Sequence, residues 1–430
     1  MGSSAASFDA SLWSATASEP PVEAPDLVGN ESVDVAIVGG GYTGLSSALA
    51  LAETGARVVV LEASRFGYGA SGRNGGQVIP GLKLDPSEMI AKWGEVRGRA
   101  LAEAVGSAAD GVFSRIDRHA IQCSPVRAGW IQAAHATPAL TRVMQRCDDW
   151  RAFGAPVEPL SREEITARIG SREYLGGWID KRAGTIQPLA YVRGLARAAR
   201  GAGAQLFANS RATKLAPAGK RWRIETARGT VDAGAVVLAT DAYTDELMPE
   251  ISRSMVLVQS ILIATAPLPP HLAAEILPNG ECASETRKLA FYFRRSPDGR
   301  LVFGGRGAIG EQERASLYKT LHRAMVRFFP ATRDLAIDYR WSGQVGLTLD
   351  GLPRIHEPAP GLFLGFGYNG RGVALATLMG EWLAARVHRD VAAPLPRTDL
   401  APIAWHRLRA PATALGIAWA WTTDSLGFAG

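Results

Sequence analysis

The chain has 430 residues, of which 47% are hydrophobic and 20% charged, and a formal net charge of +6. These values describe a soluble globular protein long enough for two domains, and they exclude a disordered or fibrous chain. The 47 basic and 41 acidic residues are spread thinly. With no basic run and no aromatic–basic interleaving, a nucleic-acid partner is not expected.

Residues 1–32 read as an arm rich in Ser, Ala and Pro. It lacks the basic start and apolar core of a secretory signal, and Leu12 and Trp13 are expected to pack on the body of the protein. Cys123, Cys147 and Cys282 are too few and too scattered for a disulfide framework or a zinc site, which fits a reducing, cytoplasmic setting. The seven histidines form no HxxxH pair, so no metal site is expected. No apolar run reaches the roughly 18 residues that a transmembrane helix needs.

Val33–Glu62 is the most informative stretch. An apolar strand, VDVAIVGG, runs into Gly39, Gly41 and Gly44, then a small-residue helix, then a second strand, VVVLE. The glycines have the GxGxxG spacing. The first allows a tight turn, the second lets backbone approach a pyrophosphate, and the third lets helix pack on strand. The helix offers unpaired N–H groups to the anion. Glu62, ending the second strand, is placed to accept the hydroxyls of an adenosine ribose.

Glycine-rich sequence follows from Gly67 to Gly81, then helical sequence over Ser87–Asp117. A strand is expected at Trp130–Ala134 and a helix near Pro138–Phe153. Pro188 opens a helix reaching Gly201, and strands are expected at Ala204–Phe207, Arg221–Glu225 and Val231–Ala239. From Met255 the strands lengthen and alternate. Ser296–Gly299 reads as a turn, which makes Leu289–Arg295 and Leu301–Arg306 a hairpin with Tyr292 and Arg294 on one face. Near the end, LFLGF, GYNGRG and VALATLMGEWLAARV repeat the strand–glycine–helix logic. Ala414–Trp421 reads as a terminal helix capping a core.

An NAD enzyme needs only one GxGxxG unit. The late strand ending at Thr240 and the helix opened by Gly367–Gly372 point to a longer cofactor crossing the sheet. That cofactor is FAD, with its adenine end on the first unit and its ring system reaching the last. A helix N-terminus beneath the flavin would stabilise the negative charge of its reduced form.

DVAIVGGGYTGLSSALALAETG, GASGRNGGQ, WSGQVGLTLDGLPRI and GYNGRGVALA resemble the D-amino-acid oxidase/glycine oxidase superfamily, and most of all its γ-glutamylputrescine-oxidase-like branch. The resemblance spans nearly the whole chain. It implies an α/β protein: a glutathione-reductase-type, Rossmann-like FAD domain and a substrate domain whose antiparallel sheet roofs the flavin. The FAD domain is expected over 33–110, 170–250 and 340–393, the substrate domain over 111–169 and 251–339, and a helical segment over 394–430.

The resemblance also implies site residues. Gly39, Gly41 and Gly44 match the pyrophosphate turn, with Tyr42 and Thr43 beside them, and Glu62 matches the ribose acid, followed by Ala63. Ser71, Gly72, Arg73, Asn74, Gly75 and Gly76 match the loop that wraps the flavin, continued by Gln77. Ala212 and Thr240 match contacts made by later backbone. Gly370, Arg371 and Gly372 match the pyrimidine edge, flanked by Gly367, Tyr368, Asn369 and Val373, with Gly343 in the WSGQ segment. Some members attach the flavin through a cysteine in the segment corresponding to Trp341–Asp350. None stands there in this chain and the glycine-rich loop has no histidine, so FAD is expected to be non-covalent.

The implied reaction is oxidation of an amine or amino acid to an imine, with hydride passing to flavin N5, water hydrolysing the imine, and O2 becoming H2O2. The chemistry needs a dry pocket and groups that hold the donor. Tyr292, Arg294, Gln259 and Trp341 are the candidates from the expected roof. Two alternatives stay open: a dehydrogenase feeding a quinone or protein carrier, and a flavin-binding subunit without turnover.

Overall fold

Residues 8–309 and 315–404 are described by a computed structural model. Its framework is a parallel sheet in the order Leu362–Phe366, Gly229–Leu238, Gly29–Val38, Val58–Leu61, Gln205–Phe207. Val58–Leu61 is buried at every position, as a strand covered on both faces must be. Arg354–Ala359 adds an antiparallel edge, and the hairpin Lys214–Ala218/Arg221–Glu225 branches from Gly229–Leu238.

The helix Tyr42–Ala52 connects the first two strands and is almost wholly buried. It crosses the helix Gly372–Arg389 closely: Ser47 donates to the carbonyl of Gly380 at 2.9 Å, and a Cβ at Gly380 would lie 2.6 Å from that of Ser46. The small residues of both helices make this approach sterically possible. Pro188–Gly201 packs beside them.

A second sheet runs Ile337–Leu347, Val256–Pro267, Arg300–Ile309, Tyr292–Arg295, Cys282–Glu285, Trp130–Ala134, Gly176–Asp180, Val157–Leu160. All its pairings are antiparallel except that of Cys282–Glu285 with Trp130–Ala134. An aromatic cluster of Phe291, Phe293, Phe303, Phe328 and Phe329 packs beneath it. The expected hairpin forms, but its first strand begins at Tyr292.

Gly176–Asp180 and Ile337–Leu347 both pair within this second sheet. The helix Ala108–Arg118 straddles 110 and packs on Gly372–Arg389. Residues 394–404 contain no helix, and Ala414–Trp421 lies outside the described residues.

The N-terminal arm is integral to the structure: Phe8, Leu12 and Trp13 are fully buried. No helix among the described residues is long and apolar enough to cross a membrane.

Candidate active site

The parallel strands all end on one edge, at Val38, Leu61, Leu238 and Phe366, and a cavity of about 1220 Å³ lies beyond it. Ligands of open α/β sheets bind at this edge, and drug-sized ligands usually occupy only about 300–1,000 Å³. The space suits a dinucleotide with a substrate beside it.

One end of the cavity is built by the first βαβ unit. Gly39, Gly41, Tyr42 and Thr43 line it where the helix Tyr42–Ala52 presents its N-terminus. Gly39 has φ +111°, which favours glycine. A Cβ at Gly44 would lie 2.0 Å from the carbonyl oxygen of Gly39, so this glycine shapes the turn from behind without facing the cavity. Glu62 faces the cavity with Ala63. Its carboxylate accepts the N–H of Gly40 at 2.7 Å and that of Ser64 at 2.9 Å. Burial pushes the Glu62 carboxyl up, opposed by those N–H groups and by Arg211. Ala212 and Thr240 complete this end.

The glycine-rich loop crosses the middle. Ser71, Arg73, Asn74, Gly75 and Gln77 line the cavity, whereas Gly72 and Gly76 fit against Gly67 and Ile186. The Arg73 guanidinium packs against the adjoining rings of Phe8 and Tyr68 and donates to the carbonyls of Tyr68 and Ser342. Gly343 packs on the Arg73 side chain.

From the C-terminal side, Tyr368, Asn369, Gly370, Arg371, Gly372 and Val373 reach the cavity. Gly367 does not line it; its N–H instead donates to Asp241 at 2.7 Å, tying the ends of two parallel strands together. Tyr368 and Thr43 share a hydroxyl hydrogen bond of 2.5 Å. Arg371 donates to the carbonyl of Pro80 at 2.6 Å and stacks on Trp130. Burial, reinforced by Arg146, pushes its pKa down to about 9, against the pull of Asp85 and Asp180.

The antiparallel sheet contributes Tyr292 and Gln259. Tyr292 lies over Gly75, where a Cβ would meet its ring at 2.8 Å, and its hydroxyl bonds that of Ser260 at 2.7 Å. Burial pushes the Tyr292 phenol up to about 12. The amide of Gln259 donates to Ser342, but its buried carbonyl oxygen has no partner.

Two candidates lie elsewhere. Arg294 shares the face of Tyr292, but the segments at Gly76 and Ile186 cover it. Its guanidinium donates to the carbonyls of Gly76, Ile186 and Arg295 at 3.0, 2.6 and 2.9 Å. Trp341 is fully buried, donates to the carbonyl of Arg73 at 2.9 Å, and packs on Trp13 away from the cavity.

The cavity also contains residues not expected as site candidates: Ser260, Arg306, Lys83, and the helix Thr137–Ala152 with Arg142 and Arg146. Arg306 was legible in principle. It follows Gly304 by two positions, Gly304 pairs with Tyr292, and alternation puts both on the cavity face.

The structure fits an FAD cofactor by shape and by donors. Close-packed glycine turns, two helix N-termini and a ribose-compatible carboxylate follow one another along a single cavity, roofed by a second sheet. This is the architecture of a two-domain flavoenzyme.

The chain belongs to the FAD dependent oxidoreductase (DAO) family, whose family model matches residues 34–386. It is 33% identical over 410 residues to gamma-glutamylputrescine oxidoreductase of Escherichia coli (strain K12), covering 93% of this chain and 95% of that one. It is 35% identical over 376 residues to probable oxidoreductase OrdL of Rhizobium meliloti (strain 1021), covering 87% of each. Glycine oxidase from Geobacillus kaustophilus shares the fold with a TM-score of 0.70 at 24% identity, covering 86% of this chain and 98% of that structure. The protein is therefore an FAD-dependent oxidoreductase.

Proposed function

We propose that this enzyme oxidises the C–N bond of an amine or amino acid to an imine, which water then hydrolyses. The names of its relatives, a gamma-glutamylputrescine oxidoreductase and a glycine oxidase, support that substrate range. The redox chemistry belongs to bound FAD: a hydride leaves the carbon beside nitrogen for N5, and its electrons end on O2 as H2O2.

In this proposal the chain's residues position the donor. The Tyr292–Ser260 hydroxyl pair carries the reading, because both residues line the cavity under the roof and offer hydrogen-bonding oxygens to an amine. Glu62 and the Gly39–Thr43 turn hold the adenosine and pyrophosphate. Arg371 and the N-terminus of Gly372–Arg389 stabilise negative charge at the other end. FAD is held non-covalently: none of the three cysteines and no histidine among the described residues lines the cavity. The free, buried state of all three thiols supports a cytoplasmic setting.

An anaerobic panel of γ-glutamylputrescine, glycine, N-methyl amino acids and simple amines, read by bleaching of the flavin band, tests the reading. O2 uptake with matching H2O2 is expected on admitting air. Bleaching with an artificial acceptor but no O2 uptake would make the enzyme a dehydrogenase, and no bleaching by any amine would sink the proposal. Acid denaturation should release all the flavin into solution.

A further inference from the structure

The order of the parallel strands sets the order in which the parts of a dinucleotide are met along their edge. Val58–Leu61 ends beside Glu62, Gly29–Val38 runs into the Gly39–Thr43 turn, and Leu362–Phe366 leads to the Tyr368–Gly372 loop. Gly229–Leu238 stands between the last two strands. The segment that follows it is therefore midway between the turn suited to a pyrophosphate and the loop suited to the ring. In FAD those two parts are joined by a ribityl chain, whose hydroxyl groups are hydrogen-bond donors.

Asp241 stands in that segment, partly buried and lining the cavity. Close contacts fix its surroundings. A Cβ on Gly39 would lie 2.7 Å from the carbonyl oxygen of Ala239, and Asp241 accepts the N–H of Gly367 at 2.7 Å. From the second sheet, a Cβ on Gly346 would lie 3.5 Å from Asp241 Oδ1.

Backbone and side chain both set Asp241 apart. Its φ of +41° lies in the left-handed region, which a non-glycine residue occupies at a cost in free energy. Its carboxyl group also has acceptor capacity to spare. A carboxylate offers about four acceptor sites, and the donors here are the backbone N–H groups of Gly367 and Ala242. Among the described residues no side chain donates to it and no cation pairs with it. Burial pushes the carboxyl up, against the pull of those two N–H groups. Neighbouring hydroxyls are already matched to each other: Thr43 with Tyr368, and Thr240 with Thr244, each at 2.5 Å.

We propose that Asp241 is a cofactor-binding residue, its carboxylate accepting a ribityl hydroxyl of FAD while it holds the N–H of Gly367. The hydroxyl fills the spare acceptor capacity. One side chain then ties the middle of the cofactor to the strand that carries the Tyr368–Gly372 loop. This role is independent of which amine is oxidised.

Full-length apoprotein titrated with FAD and with its 2′-, 3′- and 4′-deoxyribityl analogues, read by flavin fluorescence, tests the proposal. One analogue should bind wild type roughly tenfold or more weakly than FAD, because it leaves the carboxylate unmatched. D241N keeps an acceptor for Gly367 and a residue type that tolerates positive φ. It should bind FAD roughly tenfold more weakly, and shrink that analogue's penalty to about threefold or less. ADP, which lacks the ribityl chain, should bind D241N no more weakly than wild type, showing that the variant is folded. Equal affinity of wild type for FAD and every analogue overturns the proposal without any variant. So does an analogue penalty that survives undiminished in D241N. A loss of ADP affinity matching that of FAD also overturns it, and leaves Asp241 as a tie between strands.

Discussion

The indole N–H of Trp13 donates to the carbonyl of Asn74 at 2.8 Å, while that of Trp341 donates to the adjacent carbonyl of Arg73 at 2.9 Å. The two rings meet edge to face with centroids 5.6 Å apart. Two buried tryptophans, one from the N-terminal arm and one from the antiparallel sheet, thus hold consecutive peptide groups of the loop that crosses the cavity. The arm is structural support for the cofactor berth.

Trp13→Phe keeps most of the ring and removes the donor. Leaving the Asn74 carbonyl unsatisfied should cost about 1–3 kcal/mol. Because the loop is the part released, FAD affinity should fall roughly tenfold along with the thermal midpoint. Fluorescence titration of apoprotein with FAD measures this. A lowered midpoint with unaltered FAD affinity would confine Trp13 to general stability.

Local sequence carried the parallel sheet well, because Gly39, Gly41, Gly44 and the strands around them are constrained by their nearest neighbours in the chain. It carried Tyr292 too, since alternation fixes the face of a strand. Alternation does not say how far along that face a cavity extends. Arg294 therefore looked equivalent to Tyr292, although Gly76 and Ile186, distant in sequence, cover it. Arg306 takes the open position instead. The Arg142–Arg146 wall was hidden for a related reason: a polar helix face lining a cavity has the same pattern as one facing solvent.

Gly44→Ala should prevent FAD loading. The added methyl would sit 2.0 Å from the Gly39 carbonyl oxygen, a backbone atom that no rotamer can move aside, so relief requires the turn itself to move. Gly111→Ala is the matched control. It lies within the helix Ala108–Arg118, a Cβ there meets nothing within 4 Å, and it should stabilise by about 0.5–1 kcal/mol. Flavin absorbance after purification and thermal melting measure both; a yellow, fully loaded Gly44→Ala protein would contradict the role given to the turn.

Arg294 and Arg306 separate structure from recognition. Arg294 is buried, its pKa pushed down to about 10 by desolvation, and its guanidinium serves three backbone carbonyls. Arg294→Met leaves those acceptors unmatched, at about 1–3 kcal/mol for each that water cannot reach. Poor folding and low FAD content are expected. Arg306→Met should load FAD while its affinity for the amine that bleaches the flavin falls. Normal FAD content in Arg294→Met, or unchanged substrate affinity in Arg306→Met, would reverse these assignments.

Glu62 makes FAD affinity depend on pH in a direction its burial sets. Its carboxyl lies above the ordinary value near 4.5 because desolvation outweighs the N–H groups of Gly40 and Ser64 and the attraction of Arg211. A raised carboxyl binds its proton more tightly folded than unfolded. Its contribution to apoprotein stability is therefore fully present below the ordinary carboxyl value, and is lost as pH rises through the folded pKa. Ribose hydroxyls donate to the charged form, so FAD affinity should move the opposite way and increase over the same interval. Glu62→Gln should flatten both profiles and weaken FAD at the upper end, where the lost hydrogen bonds to a charged acceptor are worth about 1.5–3 kcal/mol. FAD titrations and apoprotein melts across that interval measure the two slopes. A wild-type affinity that is flat or falls with pH, or one that Glu62→Gln leaves unchanged, would remove Glu62 from the adenosine site.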